Sequence, residues 1–403
     1  MVGAGAAGLA TAIFARRHHP QLSVALLDGA RAPGAKILVS GGSRCNVTNR
    51  VVSERDFWGG RPVIVRRILR AFPVGETIAF FREIGVPLHE EEDGKLFPDS
   101  NRARDVLTAL LAEAQRAGVE LRPGCRVMSA VRGIEGFSLS TNRGALHAPA
   151  LVLATGGQSL PRSGSDGAGY AIAAALGHTI VPTTPALVPL VLDGSMHRAL
   201  SGVAQDVEIA IWVEDRVAVR IRGSMLWTHF GVSGPAALNA SRHWLRARLE
   251  GRAVRLTVSV RPGSTFGAID SEWTARAREH PRATMSGLLA RDVPASFARA
   301  LLSEIGLPHD LAAAGLTRDD RRTLVRALLE YPLPVIDSRG YTYAEATAGG
   351  VTLTEVDPAS MASRVCEGLS VVGEMLDVDG RIGGFNFQWA WSTGYVAGRA
   401  LAV

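Results

Sequence analysis

Cysteine is scarce. Cys45, Cys125 and Cys366 are the only three among 403 residues, and their wide separation gives neither a C-x-x-C redox pair nor a metal-ligand spacing. No metal is expected, and a reducing compartment is. An unbroken apolar span is missing too: the longest uncharged stretch, residues 167–192, is interrupted by Gly177, Pro182, Pro185 and Pro189, so no membrane segment is expected. No basic-then-apolar leader precedes the glycines at residues 3–8. These absences lead us to expect a soluble, cytoplasmic protein. Internal repeats and low-complexity segments are also lacking. The charge excess is modest, with 44 Lys and Arg against 38 Asp and Glu for a formal +6, which permits an anionic partner such as a nucleotide or RNA. The densest basic stretches, residues 61–70 and 242–255, alternate with apolar residues as solvated faces of amphipathic segments do. Hydrophobic residues, at 47%, are plentiful enough to bury the two or three units this length implies.

Against that background the start of the chain stands out. Gly3, Gly5 and Gly8 have the G-x-G-x-x-G spacing of a tight strand-to-helix turn, where bare backbone approaches a pyrophosphate and a helix N-terminus faces its charge. Alone the pattern is weak. Residues 22–28 supply its context: a short apolar strand ending in Asp28, 20 residues after Gly8, which places a carboxylate where such a unit hydrogen-bonds the adenosine ribose. Only Met1 and Val2 precede the first glycine, so either the start is truncated or mis-assigned, or the first strand is unusually short.

Residues 35–49 are rich in glycine and small polar side chains. A surface loop would read the same way, but Lys36, Ser40, Ser43, Arg44 and Asn46 with the glycine amides form a dense set of donors for phosphates. Residues 63–118 are mostly helical in pattern, interrupted by a turn or small hairpin at 90–98. Strand-like stretches at 125–131 and 137–140 lead to a buried parallel strand at 150–154 that ends in Thr155-Gly156-Gly157. The texture then changes. We expect a first part of one domain over residues 1–186, an inserted domain over 187–337 (antiparallel β at 187–265, helical at 270–333), and the last part of the first domain over 338–403. That last part contains a strand at 369–374 ending in Glu374 and a final helix at 389–401.

The chain resembles the BaiN/RdsA-type flavoproteins, also called aminoacetone-oxidase-like FAD-binding enzymes, distant relatives of the fumarate reductase flavoprotein fold. Six motifs in order carry the likeness: residues 3–8, 36–49, 93–98, 154–157, 228–235, and 373–380 running on to 383–388. The resemblance implies an α/β fold with a Rossmann-type FAD-binding domain of the glutathione-reductase and fumarate-reductase kind, assembled from both chain ends, with an inserted β-barrel-like and small helical region. It implies that Gly3, Gly5, Ala6, Ala7 and Gly8 hold the FAD pyrophosphate and Asp28 the ribose. Lys36, Ser40, Gly41, Arg44 and Asn46 would wrap pyrophosphate and flavin, and Val127 would meet the adenine through its strand. Thr155, Gly156 and Gly157 would lie along the cofactor, with Gly373 and Glu374 at the ribityl chain. Relatives of the wider fold often carry Asp at that second position. Gly384, Asn386 and Gln388 would precede a helix whose N-terminus steadies negative charge on reduced flavin.

Without a second G-x-G-x-x-G followed by a strand and an acid, NAD(P)H is expected as a transient co-substrate with no domain of its own. Reduced flavin delivers hydride best to an electron-poor carbon, and the resemblance implies a C=C conjugated to a carbonyl in a small molecule, or a uridine of ribosomal RNA. A non-catalytic FAD-binding protein and an amine oxidase complete the readings. For a proton donor the candidates are His229, in an uncharged loop where it can equally hydrogen-bond structure, and Arg44, where binding a phosphate or flavin competes with proton transfer. Cys45, lacking a partner cysteine, reads as a packed residue.

Overall fold

Val2, just ahead of the glycines, stands at the centre of a parallel sheet. In the computed structural model, which describes residues 1–401, Val2 bridges in parallel to Leu27 on one side and Leu153 on the other. Its N–H donates to the Val152 carbonyl at 2.9 Å and its carbonyl accepts from the Ala154 N–H at 2.8 Å, while the Gly3 N–H donates to the Leu27 carbonyl at 2.8 Å. Beyond these neighbours, strand Ala25–Asp28 pairs in parallel with Glu120–Pro123, and Leu151–Leu153 with Leu369–Val371. Numbered along the chain, the five strands lie in the order 3-2-1-4-5. The direction of winding reverses at the first strand, and an open parallel sheet binds its ligand beyond the carboxyl end of the strands at that reversal. Leu26, Leu27, Leu151, Val152, Leu153 and Val371 are all buried, the continuous apolar character of strands covered on both faces.

Helix Ala6–His18 leaves the glycine turn and packs against the last helix, Phe385–Ala400. The two backbones come close because small residues face each other: a Cβ on Gly394 would stand 2.7 Å from the Ala10 Cβ, and one on Gly398 2.7 Å from the Thr11 carbonyl oxygen. The last helix begins four residues before the expected 389, because Gly384, at φ +91°, turns the chain into its first turn. Its aromatic face is core, with Trp389 and Trp391 each 1% exposed. The remaining elements of this unit include the hairpin Leu88–Glu90 with Lys95–Pro98 and a three-stranded antiparallel sheet, Val127–Gly133, Gly136–Thr141 and Gly144–Ala148.

The contacts divide the chain into two units, residues 1–186 with 341–403, and residues 187–340. The second unit has a seven-stranded antiparallel ladder whose longest pair is Ala204–Val213 with Arg216–Thr228. The hairpin closes through Glu214 and Asp215, both at positive φ (50° and 59°), as a two-residue turn matching the strand twist requires. Helices Phe266–Glu279, Ala295–Glu304 and Arg318–Glu330 supply the other side of its core. Helix Gly234–Leu249 lies inside the stretch expected as an antiparallel β unit. Pro235 in its first turn, where proline's missing N–H costs nothing, was the overlooked signal. Among the described residues no helix is long and apolar enough to cross a membrane, and no three His, Cys, Asp or Glu side chains gather as a metal site.

Candidate dinucleotide site

The three glycines of the first turn have three different surroundings. A Cβ on Gly3 would lie 2.4 Å from the Ala154 carbonyl oxygen, and Gly3 sits at φ +100°; a Cβ on Gly8 would lie 1.8 Å from the Gly3 carbonyl oxygen; a Cβ on Gly5 would meet nothing within 4 Å. Gly3 and Gly8 are therefore fixed by the turn and by helix-on-strand packing, whereas Gly5 keeps backbone bare beside open space. Gly5 also N-caps the first helix without a side-chain hydrogen bond, and no acid stands in its first turn. Its N-terminal amides at Ala6, Ala7 and Gly8 thus present the positive end of the helix dipole to that space. Asp28, ending the neighbouring strand, accepts from the Ala4 N–H at 2.7 Å and the Ala30 N–H at 2.7 Å, which fixes its carboxylate beside the turn.

From this turn the site runs on to the next strands. A Cβ on Gly373 (φ +69°) would come 2.6 Å from the Ala7 Cβ, and Gly373 is pinned by the Thr393 hydroxyl accepting its N–H at 3.0 Å and the Trp389 indole donating to its carbonyl at 3.1 Å. Glu374 follows. Lys36 donates to its carboxylate at 2.5 Å, and a Cβ on Gly157 would lie 3.1 Å from it. The structure thus brings Gly3, Gly5, Ala6, Ala7, Gly8, Asp28, Lys36, Gly156, Gly157, Gly373 and Glu374 along one edge. Three buried polar atoms in the same region, Asn46 Oδ1, Thr155 Oγ1 and Ser165 Oγ, have no hydrogen-bond partner in the protein. Each costs about 1–3 kcal/mol while unpaired. An open glycine, an uncapped helix end and orphaned hydrogen-bonding atoms together fit a dinucleotide.

Residues 40–45 fold as an abrupt bend rather than helix. Gly41, Gly42, Ser43 and Cys45 all have positive φ (54°, 66°, 67° and 63°), and for Ser43 and Cys45 this is strain of the kind found in ligand clamps. The bend is closed by the Cys45 N–H donating to the Ser40 carbonyl at 3.0 Å. Arg44 pairs with Glu91 at 2.6 Å and lies over the Phe97 ring with 4.1 Å to its centroid; its guanidinium holds the Glu91 carboxyl below the usual range. Cys45 is fully buried, and burial pushes its thiol up to about 12, so it stays a protonated side chain packed in the core.

Two expected cofactor side chains make hydrogen bonds within the protein. Gln388, 1% exposed, accepts from the Thr48 and Thr77 hydroxyls at 2.6 and 3.0 Å and donates to the Phe72 carbonyl at 3.0 Å and the Ser392 hydroxyl at 3.1 Å. Every polar position of its amide is used within the core. Asn386 likewise accepts the Gly380 N–H and donates to the Gly380 carbonyl, at 2.8 and 3.0 Å. Both sit in the first turn of the last helix, which the chain enters at Gly384. The Arg126 backbone is bound on both sides by Asn142, and Val127 is buried at the start of its strand. His229 lies in the second unit, exposed in the turn between two strands with its ring 5.1 Å from that of Phe230. Ser159 sits in no sequence motif. Ser165 lies in the glycine cluster at residues 164–170, which reads from the sequence as a cofactor-side turn.

A 3-2-1-4-5 parallel sheet with a glycine turn at its winding reversal and an acid closing the second strand defines a Rossmann-type dinucleotide-binding protein. The chain belongs to the family described as HI0933-like protein Rossmann domain, whose model matches residues 1–400. It is 33% identical over 402 residues to a 3-dehydro-bile acid delta(4,6)-reductase of Clostridium scindens, covering 100% of this chain and 98% of that one. It is 31% identical over 404 residues to a ribosomal RNA dihydrouridine synthase of Escherichia coli, covering 100% and 97%. In three dimensions it is similar to a quinol fumarate reductase FrdA from E. coli, with a TM-score of 0.51 at 15% identity over 99% of this chain and 68% of that one.

Proposed function

We propose that this protein is an FAD-dependent oxidoreductase that reduces an electron-poor C=C conjugated to a carbonyl in a small molecule, with NAD(P)H as transient electron source. The observation that carries the reading is the cradle around Gly5: an open backbone, an uncapped helix N-terminus, and Asp28 beside it. The relative named as a delta(4,6)-reductase, similar along its whole length, supports the reaction class. When bound, FAD supplies hydride acceptance and delivery. The chain's own residues bind and orient it. The amides of Ala6, Ala7 and Gly8 face the pyrophosphate, with Gly3 and Gly8 shaping the turn, and Asp28 takes the ribose hydroxyls. Ser40, Gly41, Arg44 and Asn46 wrap the middle of the cofactor, Val127 borders the adenine, and Thr155, Gly156, Gly157 and Ser165 lie along it. Gly373 and Glu374 meet the ribityl chain, and the last helix, entered at Gly384, turns its N-terminus to the flavin. His229 is the candidate proton donor; Arg44, always charged, binds rather than donates a proton. Three buried, unpaired cysteines suit a reducing, cytoplasmic setting.

Two results check this. Incubation with NADPH and a steroid-like conjugated ketone should give a product heavier by two hydrogens, and His229→Gln should slow it by about 100-fold while FAD stays bound. Ser165→Ala and Asp28→Ala should each weaken FAD binding by about tenfold or more, the worth of a hydrogen bond to a charged or buried partner, read by titrating apoprotein. A second reading, reduction of uridine in ribosomal RNA, is favoured by the +6 charge and by the 31% identical synthase. It requires salt-dependent binding of a ribosomal RNA fragment and loss of dihydrouridine from the RNA of a deletion strain. Failure of both removes it.

A further inference from the structure

Glu374 is held by far more than its place at a strand end requires. Its Oε1 accepts from the Ser159 hydroxyl at 2.8 Å and the Thr347 N–H at 2.9 Å, and its Oε2 accepts from the Lys36 ammonium at 2.5 Å. Lys36 also donates to the Ser159 oxygen at 2.6 Å. Thr347 in turn accepts, through its own hydroxyl, the N–H groups of Gln158 and Ser159 at 2.8 and 3.1 Å. Four segments remote in sequence, around residues 36, 159, 347 and 374, therefore converge on one carboxylate, and Ser159 and Thr347 are both fully buried. The Lys36 and Glu374 side chains are 26% and 18% exposed. A glutamate has one more rotatable bond than an aspartate, so a carboxylate meant to meet a ligand at a fixed point needs bracing. A carboxylate beside a redox group also needs neutralising, because a bare anion opposes the arrival of electrons.

We propose that Lys36, Ser159 and Thr347 are positioning residues for Glu374: Ser159 and Thr347 aim its carboxylate and Lys36 neutralises it, so that bound flavin meets a fixed acceptor and no uncompensated charge. The inference rests on the FAD reading above. It assigns Lys36 to Glu374 as counter-ion, and Ser159 and Thr347 to a task that no sequence motif marks.

The test is a charge cycle on the FAD-loaded protein, with the midpoint potential of bound flavin and the FAD dissociation constant as readouts. Lys36→Met removes the counter-ion of Glu374 and lowers the potential; Glu374→Gln removes the anion that Lys36 pairs with and raises it; the double variant returns toward wild type. Lys36→Met also weakens FAD binding by about tenfold or more, since one partner of a partly buried pair is stranded. Ser159→Ala and Thr347→Val weaken FAD binding, and Thr347→Ser, which keeps the hydroxyl, restores it. A wild-type protein that takes up no FAD overturns the functional reading and this inference with it. Wild type that binds FAD, with Lys36→Met matching it in affinity and potential or with both single variants shifting the potential the same way, overturns the inference alone.

Discussion

Gly8→Ala gives a protein that is strongly destabilised and retains no flavin, whereas Gly5→Ala, three residues earlier, folds as wild type and loses only affinity. The two outcomes follow from what a methyl group would meet. At Gly8 it would stand 1.8 Å from the Gly3 carbonyl oxygen, which is backbone of a strand bridged on both edges, so helix and sheet must separate. Such a change belongs to the exceptional class, costing about 4 kcal/mol or more. At Gly5 the methyl meets nothing within 4 Å, and the backbone there, at φ −83° and ψ −167°, is extended and open to alanine. Stability should move by no more than about 0.5 kcal/mol, while the methyl occupies the approach of the pyrophosphate. FAD affinity should fall by about 10–100-fold, a loss of roughly 1.4–2.8 kcal/mol. Thermal melts of the apoproteins and FAD titrations separate the two effects. Equal melting of both variants would show that the glycines do not divide their tasks as their surroundings indicate.

Gln388→Leu should lower the melting temperature without altering how the flavin is reached. The substitution keeps the volume but strands the Thr48 and Thr77 hydroxyls that now donate to the amide, while the Ser392 hydroxyl keeps its bond to the Phe72 carbonyl. Buried groups left unsatisfied cost about 1–3 kcal/mol each, so a loss of about 3 kcal/mol is expected, and with it about 6–12 °C for a unit of this size. The FAD dissociation constant of the folded protein should change by less than about threefold, since Gln388 is 1% exposed and faces the core. The opposite pattern, an unchanged melt with lost FAD, would return Gln388 to the flavin site where its motif first put it.

That residue marks how far the sequence could be read. The glycine turn, Asp28 and the strands around Leu27, Val152 and Val371 were legible because each is a local signal: a spacing, an acid after an apolar run, a run bounded by glycine. Their 3-2-1-4-5 order also agrees with what such signals imply when taken together. The direction a side chain takes within a recognised motif was not legible. Gln388 and Asn386 lie at the start of the last helix as the motif requires, yet their amides turn to Thr48, Thr77 and Gly380. Nor was any partnership legible that joins distant segments. Ser159 and Thr347 are 188 residues apart where they share a hydrogen bond, and neither sits in a pattern of its own. Lys36 was visible as a donor, but its acceptor at Glu374, 338 residues away, was not.

The most direct measurement of the central claim is the visible spectrum of the purified protein under nitrogen, before and after NADPH and then after a conjugated ketone. The account predicts oxidised-flavin bands that bleach with NADPH and return when the ketone is added, with reduced ketone formed in step. A protein without flavin bands, or one whose bands never bleach with NADPH or NADH, would contradict it.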